Sequence, residues 1–271
     1  MIRLIKTLGK IAVPIVVILG SLYMFSGYHV DKGIDTKAPQ TAIEQHIESS
    51  EDQMTRSQRI ARLFHFRQAV SEALDKRVPP SQQVTSKSIA QSMKDALVAT
   101  EDKRFYEHGA IDTFGIVRAL YTNVVAGQTM EGGSTITQQL VKNLFLSSKR
   151  ILSRKMEEVL LAFLMEHDYS KDEIITMYLN SIYYGNNYYG IKAAAKGYFD
   201  TTPAELTIPQ AALLAGLPQA PTYYNPFTNL REAKNRQRIV LGLMAEQGYI
   251  PKDSVEKYAH ESLHLRKTSE E

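Results

Sequence analysis

Three stretches of the sequence hold residues whose types and spacing suit chemistry. The first is EGGSTITQQLVKN, residues 131 to 143, where Gly132 and Gly133 precede Ser134, Thr135 and Thr137, then Gln138, Gln139 and Lys142. Glycines let a backbone approach a ligand closely, hydroxyls and amides bind its oxygens, and an ammonium balances negative charge. That describes a segment that handles a phosphate, although no lysine directly follows the second glycine as a Walker loop requires. The same residues also describe a glycine turn leading into the polar first turn of a helix, capped by Ser134 or Thr135.

The second stretch is ATEDKRFYEHGAID, in which Glu101 and Asp102 close an apolar helical run and precede Phe105 and His108. A carboxylate at the end of a buried helix loses water, its proton affinity rises, and it becomes a usable base near neutral pH. An exposed acidic turn is the plainer reading of any such pair. The third stretch is RILSRKMEEVLLAFLMEHDY, where Arg154, Glu158, Ala162 and Glu166 recur every four residues and share one helix face. A solvated salt-bridge face is the ordinary explanation. Ala162 is small for such a face, and the expectation is that it leaves room for a substrate between the two acids.

Two other matches carry little. HESLH, residues 260 to 264, has the H-E-x-x-H spacing of a zinc site, but only seven residues follow it and a third ligand is needed. SVEK at 254 to 257 with KTS at 267 to 269 imitates serine transpeptidase signatures without room for that domain.

The elements that must position these residues read as helices. IAQSMKDALVATEDKRFY, FGIVRALYTNVVAG, QQLVKNLFL, LSRKMEEVLLAFLMEHDY, KDEIITMYLNSIYYG, IKAAAKGYF, IPQAALLAGL and EAKNRQRIVLGLMAEQGY all carry helical apolar spacing, and no alternating run competes with them. A mainly α fold is expected. The 271 residues, 44% of them hydrophobic, suffice for a substantial core. A net charge of +3 from 32 basic and 29 acidic residues argues against nucleic acid as a partner. The lack of cysteine removes disulfide scaffolds, thiol nucleophiles and thiolate metal sites.

Residues 1 to 10 form a basic flank with Arg3, Lys6 and Lys10, and residues 11 to 28, IAVPIVVILGSLYMFSGY, carry no charge. The run is long enough for a transmembrane anchor, Tyr23 and Tyr28 suit its far interface, and no A-x-A-like cleavage site follows. The preceding cations place the amino terminus in the cytoplasm and the rest of the chain outside, in the cell membrane. Residues 29 to 86 read as a stem containing one helix, IARLFHFRQAVSEALDK, broken at Pro79 and Pro80. The catalytic domain then spans 87 to 250, and 251 to 271 form a C-terminal helix and tail.

In order, ATEDKRFYEH, EGGSTITQQLVKN, RKMEEVLLAFLME, KDEIITMYLNSIYYGNNYYGIKAAAKGYF and AALLAGLPQAPTYYNP resemble the five motifs of the peptidoglycan glycosyltransferases, glycosyltransferase family 51, over roughly residues 85 to 250. The resemblance implies a lysozyme-like helical domain with a membrane-associated jaw after the first motif. It implies polymerisation of lipid II with inversion and release of undecaprenyl diphosphate, by a member with no transpeptidase domain. Glu101 is then the base and Glu158 the second essential acid. Lys142 and Arg154, with Ser134, Thr135, Gln138 and Gln139, would hold the diphosphate. Asp102, Phe105, His108, Gly133, Lys155, Asn180, Tyr183 and Gly185 complete the implied substrate site. A divalent cation, Mg2+ or Mn2+, is the one cofactor expected, at the diphosphate. The implied partners are lipid II, the growing lipid-linked glycan, membrane lipids and other cell-wall synthesis proteins. The alternatives are an inactive glycan- or lipid-binding module and a lysozyme-like lytic enzyme of the same fold. Two positions depart from the family pattern: Gly109 directly follows His108 where H-x-G is usual, and Gln210 stands where an acid commonly precedes AALLAG.

Overall fold

The computed structural model describes residues 54–127, 132–146 and 152–266, and the apolar run 11 to 28 lies outside them. The expected helices are present: α1 (Arg56–Phe64), α2 (Phe66–Arg77), α3 (Gln91–Glu101), α4 (Thr113–Ala126), α5 (Ile136–Phe145), α6 (Leu152–Asp168), α7 (Lys171–Ser181), α8 (Ile191–Phe199), α9 (Ile208–Gly216), α10 (Leu230–Glu246) and α11 (Val255–His260). The only β pairing among the described residues is a single bridge between Tyr183 and Tyr189. No described helix is long and apolar enough to cross a membrane.

Two groups of helices share one core. Helices α3, α9 and α10 pack together, α5 packs against α6 and α7, and α2 lies against α5 and α7. Met93 and Leu97 of α3, Ile136 and Leu140 of α5, Leu161 and Met165 of α6, Ile174 of α7 and Leu214 of α9 all belong to that single cluster. Burying contiguous apolar surface from both groups is the main force joining them.

Two expectations change here. The boundary at residue 87 is too late: Phe66, Val70 and Leu74 of α2 are core residues, so the folded unit takes in what reads as stem. The single helix expected over 60 to 76 is two, meeting at His65, because the halves have different partners. α2 faces the core, while α1 is tied through Arg62 to Glu157 of α6 at 2.6 Å. The H-E-x-x-H match also dissolves, since α11 ends at His260 and His264 has a φ of 49°.

Helix α4 behaves differently from the rest. Phe114, Val117, Tyr121, Val124 and Val125 are all well exposed, and none joins the core cluster. An apolar helix turned outward in this way is a surface with an unusual exposure cost, since isolated exposed apolar residues are ordinary but contiguous ones are not.

The Gln210 departure has a structural reason. Its Oε1 accepts from the Thr207 backbone N–H at 3.0 Å as half of the α9 capping box, and its Nε2 donates to the Leu263 carbonyl at 3.0 Å. An acid can do the first but not the second. Gln210→Glu should therefore cost about 1–3 kcal/mol at neutral pH by setting a carboxylate against that carbonyl. The measurement is thermal unfolding followed by circular dichroism, where Tm should fall by several degrees; an unchanged Tm would show that the C-terminal tail adds nothing to the core.

Candidate active site

Glu101 is the last residue of α3, half-buried, and its Oε2 accepts from Gln139 Nε2 of α5 at 2.8 Å. Burial raises its proton affinity above that of an ordinary glutamate. The Gln139 hydrogen bond and the charges of Arg236 and Lys142 pull the other way, and neighbouring Asp102 adds to the rise. The net effect is a carboxyl group that binds a proton more readily than a surface acid, as a general base requires.

One turn along α5 from Gln139, Lys142 lies open to solvent within the cleft. Desolvation by surrounding protein atoms lowers its proton affinity. Glu158 opposes that shift, Arg154 and Lys155 strengthen it, and Glu101 opposes it again. Lys142 thus feels both acids. Glu158 itself is 3% exposed and is held by two cations of its own helix, Arg154 Nη1 at 3.3 Å and Lys155 Nζ in direct contact. Lys155 Nζ also reaches Ser134 Oγ at 3.4 Å. The result is one carboxylate wrapped by three cations, an arrangement suited to a polyanionic ligand placed over it. Both Glu158 oxygens are engaged by these cations, so the described residues offer no free pair of carboxylate oxygens for a divalent ion there.

Other residues implied by the resemblance form the frame of the cleft. Asp102 is buried, with Oδ2 accepting from the Ile136 backbone N–H at 3.0 Å and Oδ1 bonded to His108 Nε2 at 2.7 Å. His108 Nδ1 donates to the Gly109 carbonyl at 2.6 Å. With an acceptor at each nitrogen the protonated ring is favoured. Burial works against its charge, but the Asp102 hydrogen bond, the Gly109 carbonyl and the Asp102 charge outweigh both that and Lys171, and hold its proton affinity above the ordinary value. Asp112 brings a third potential ligand atom within 4.8 Å of these two. The occupied imidazole and Arg104 Nη2, 3.5 Å from Asp112 Oδ1, make the group an ion-paired latch.

Thr135 and Gln138 make a capping box at the start of α5. Thr135 Oγ1 accepts from the Gln138 N–H at 3.1 Å and also donates to the Ala110 carbonyl, while Gln138 Oε1 accepts from the Thr135 N–H. Both are buried, so they set the helix rather than face a ligand. Phe105 is fully buried under the Lys171 ammonium, 4.2 Å from its ring centre. Asn180 grips the Val84 backbone at both its N–H and C=O. Tyr183 stacks on Tyr189 at 4.8 Å. Gly185, at φ 88°, turns where a Cβ would press on the Pro221 carbonyl. Gly133 is exposed beside Ile116 of α4.

Ala162 needs a correction. It is fully buried in the core, and it leaves no room for substrate. Glu166 turns to Thr137 and Lys171. Arg236 of α10 is the residue that sequence reasoning missed. Its guanidinium acts on Glu101, and its stem crosses Gly216, where a Cβ would lie 2.7 Å from Arg236 Cγ. Gly216 in AALLAG was the available signal, since it reads as a point of close approach.

A family model described as Transglycosylase matches residues 67–245. Penicillin-binding protein 1F of Bacillus subtilis (strain 168) is 44% identical over 189 residues, covering 69% of this chain and 26% of that protein. Penicillin-binding protein 1A of Neisseria flavescens is 46% identical over 175 residues, covering 65% of this chain and 22% of that protein. The chain thus spans about a quarter of the length of these curated relatives. The crystal structure of penicillin-binding protein 1A from Haemophilus influenzae aligns with a TM-score of 0.42 and 24% identity over 69% of this chain and 18% of that one.

The latch makes a pH prediction. Because folded His108 holds its proton more tightly than an unfolded histidine, its contribution is complete below about pH 6.5 and is lost as pH rises through the folded value. The stability gap between wild type and His108→Gln should therefore be widest near about pH 5.5 and narrow towards about pH 9. Melting curves across that range decide it, and a gap that is constant with pH would mean the ring is neutral when folded.

Proposed function

The chain belongs to the transglycosylase family, glycosyltransferase family 51, and from that premise we propose that it polymerises lipid II into linear glycan strands. The observation that carries the reading is the pairing of a proton-accepting Glu101 with the cation cluster around Glu158, with Lys142 under the influence of both acids. In the proposed step the acceptor sugar's 4-hydroxyl gives its proton to Glu101. Its oxygen forms a bond to the donor's anomeric carbon from the face opposite the diphosphate, and the carbon–oxygen bond to the diphosphate breaks, its electron pair leaving with undecaprenyl diphosphate. Attack from the opposite face inverts the anomeric centre.

Negative charge therefore moves from the Glu101 carboxylate to the departing diphosphate. Lys142, Arg154 and Lys155 meet it where it develops, which is what lowers the barrier. Ser134 and Gln139 line the same path. Mg2+ or Mn2+ remains a candidate cofactor in this reading only if the substrate's own phosphate oxygens supply most of its ligands, and no step above depends on it.

The substrates carry isoprenoid tails, so the cleft has to stand at a bilayer. The uncharged run 11 to 28 serves as a single-pass anchor with its amino terminus in the cytoplasm, and the outward apolar face of α4 serves as the jaw that meets the outer leaflet. Other cell-wall synthesis proteins are the natural protein partners of such an enzyme.

Incubating the full chain in detergent with lipid II and resolving products by gel separates the readings: polymer supports this one, no change an inactive binding module, and shortening of added glycan a lytic enzyme. Glu101→Gln should lower the polymerisation rate by about 100-fold or more while the protein stays folded. Near-normal polymer from a folded variant would remove Glu101 as the base. For the membrane contact, Val117→Asp with Val124→Asp in a protein starting near Thr36 should abolish liposome flotation without loss of helical circular dichroism. Retained flotation by the folded variant would mean that the outward face of α4 is not what holds the truncated protein to the bilayer.

A further inference from the structure

Tyr178 is a polar side chain in the middle of α7 with 1% of its surface exposed, inside the main core cluster. A phenylalanine would fill that space equally well. Among the described residues its hydroxyl has one partner: it donates to Gln139 Oε1 at 3.1 Å. The other end of that carboxamide, Nε2, donates to Glu101 Oε2 at 2.8 Å. The three side chains form a line from the core to the cleft, contributed by α7, α5 and α3.

A carboxamide has a donating end and an accepting end of nearly the same shape. Which end faces Glu101 decides whether a carboxylate there is stabilised or repelled. Turned by half a rotation, Gln139 would set Oε1 against Glu101 and NH2 against the phenol oxygen, leaving the Tyr178 hydrogen buried without an acceptor among the described residues. An unmade buried hydrogen bond and two opposed oxygens each cost free energy. Burial and the nearby Glu101 charge also keep the phenol protonated, so it remains a donor.

We propose that Tyr178 is a positioning residue for the proposed base, its hydroxyl fixing the Gln139 carboxamide with the NH2 group on Glu101. The proposal rests on the reading of Glu101 as general base. Oε2 is thereby occupied, and among the described residues no hydrogen bond reaches Oε1, which is left to take the acceptor proton. The capping box at Thr135 and Gln138 contributes by fixing the first turn of α5, so that Gln139 starts from a set backbone position.

The test is a double-mutant cycle in the full chain: wild type, Tyr178→Phe, Gln139→Met and the double variant. Each is assayed for lipid II polymerisation against substrate concentration and pH, with circular dichroism melting to confirm folding. Tyr178→Phe should lower kcat by about 3- to 10-fold at neutral pH, the effect of one buried hydrogen bond, with KM unchanged. The acid limb of its rate profile should move to higher pH, because the base must be ionised and the lost donor raises its proton affinity. In the Gln139→Met background the same substitution should change the rate by less than about 2-fold. An equal loss in both backgrounds, or an acid limb left in place in the folded variant, would overturn the proposal by reducing Tyr178 to packing. A 13C NMR titration of the Glu101 carboxyl in the same proteins reads the lock without turnover: its midpoint should rise in Tyr178→Phe, and an unmoved midpoint overturns the proposal. If the midpoint rises but wild type makes no polymer, the lock stands and the reaction assigned to it fails.

Discussion

The Asp102 carboxylate joins the two halves of the cleft. One oxygen takes the first free N–H of α5, at Ile136, and the other takes the His108 ring, while its own backbone ends α3. Glu101 is the preceding residue and Gln139 lies one turn along α5, so fixing Asp102 to Ile136 brings base and amide to hydrogen-bond distance. A buried carboxylate with no partner would be costly, and the imidazolium and the backbone N–H together remove that cost. Phe105, buried beneath Lys171, closes the intervening turn. The base is therefore placed by a helix end, a helix start and a charged pair, none of which touches the substrate in the proposed reaction.

Once placed, Glu101 sits under opposing influences, of which burial is the largest. Burial and Asp102 raise its proton affinity, while Gln139, Arg236 and Lys142 lower it. Burial alone would protonate the group and end its use as a base. Cations alone would leave it a weak acceptor. The geometry gives it an intermediate character, and Lys142 shares that balance from the other side, since desolvation by its surroundings weakens its hold on a proton while Glu158 and Glu101 restore it. On the proposed reading the same lysine links the acid that would take the proton to the cations that would meet the diphosphate.

The helices were legible because their apolar spacing is regular and their caps are short-range signals. Thr135 with Gln138 and Thr207 with Gln210 are both capping boxes written three residues apart. What could not be read was which motif residues face a ligand and which face the core. Gln138 and Gln139 are adjacent and identical in type, yet the first closes a cap and the second reaches Glu101, because a helix turns about a quarter revolution between them. Ala162 read as space for a substrate for the same reason: a stripe at four-residue spacing drifts, and its middle member is buried in the core. Arg236 was hidden differently. Its approach to Glu101 depends on α10 lying across α3 and α9, a tertiary fact with no local signature except the glycine it crosses.

The exposed helix α4 is held to this frame at two points. At its start Arg104 stacks over the Phe114 ring at 4.8 Å and faces Asp112, which is grouped with Asp102 and His108 in the latch. Further along, Ile116 lies beside Gly133, two residues before the α5 cap, where an added Cβ would meet it at ordinary contact distance. The apolar helix thus lies beside the segment that carries Ser134, which Lys155 contacts from α6. On the proposed reading this ties the depth at which α4 sits in a bilayer to the position of the diphosphate-holding residues. A lipid-borne substrate would then arrive already at the height of Ser134 and Lys155, with its reacting carbon carried by its own geometry towards Glu101.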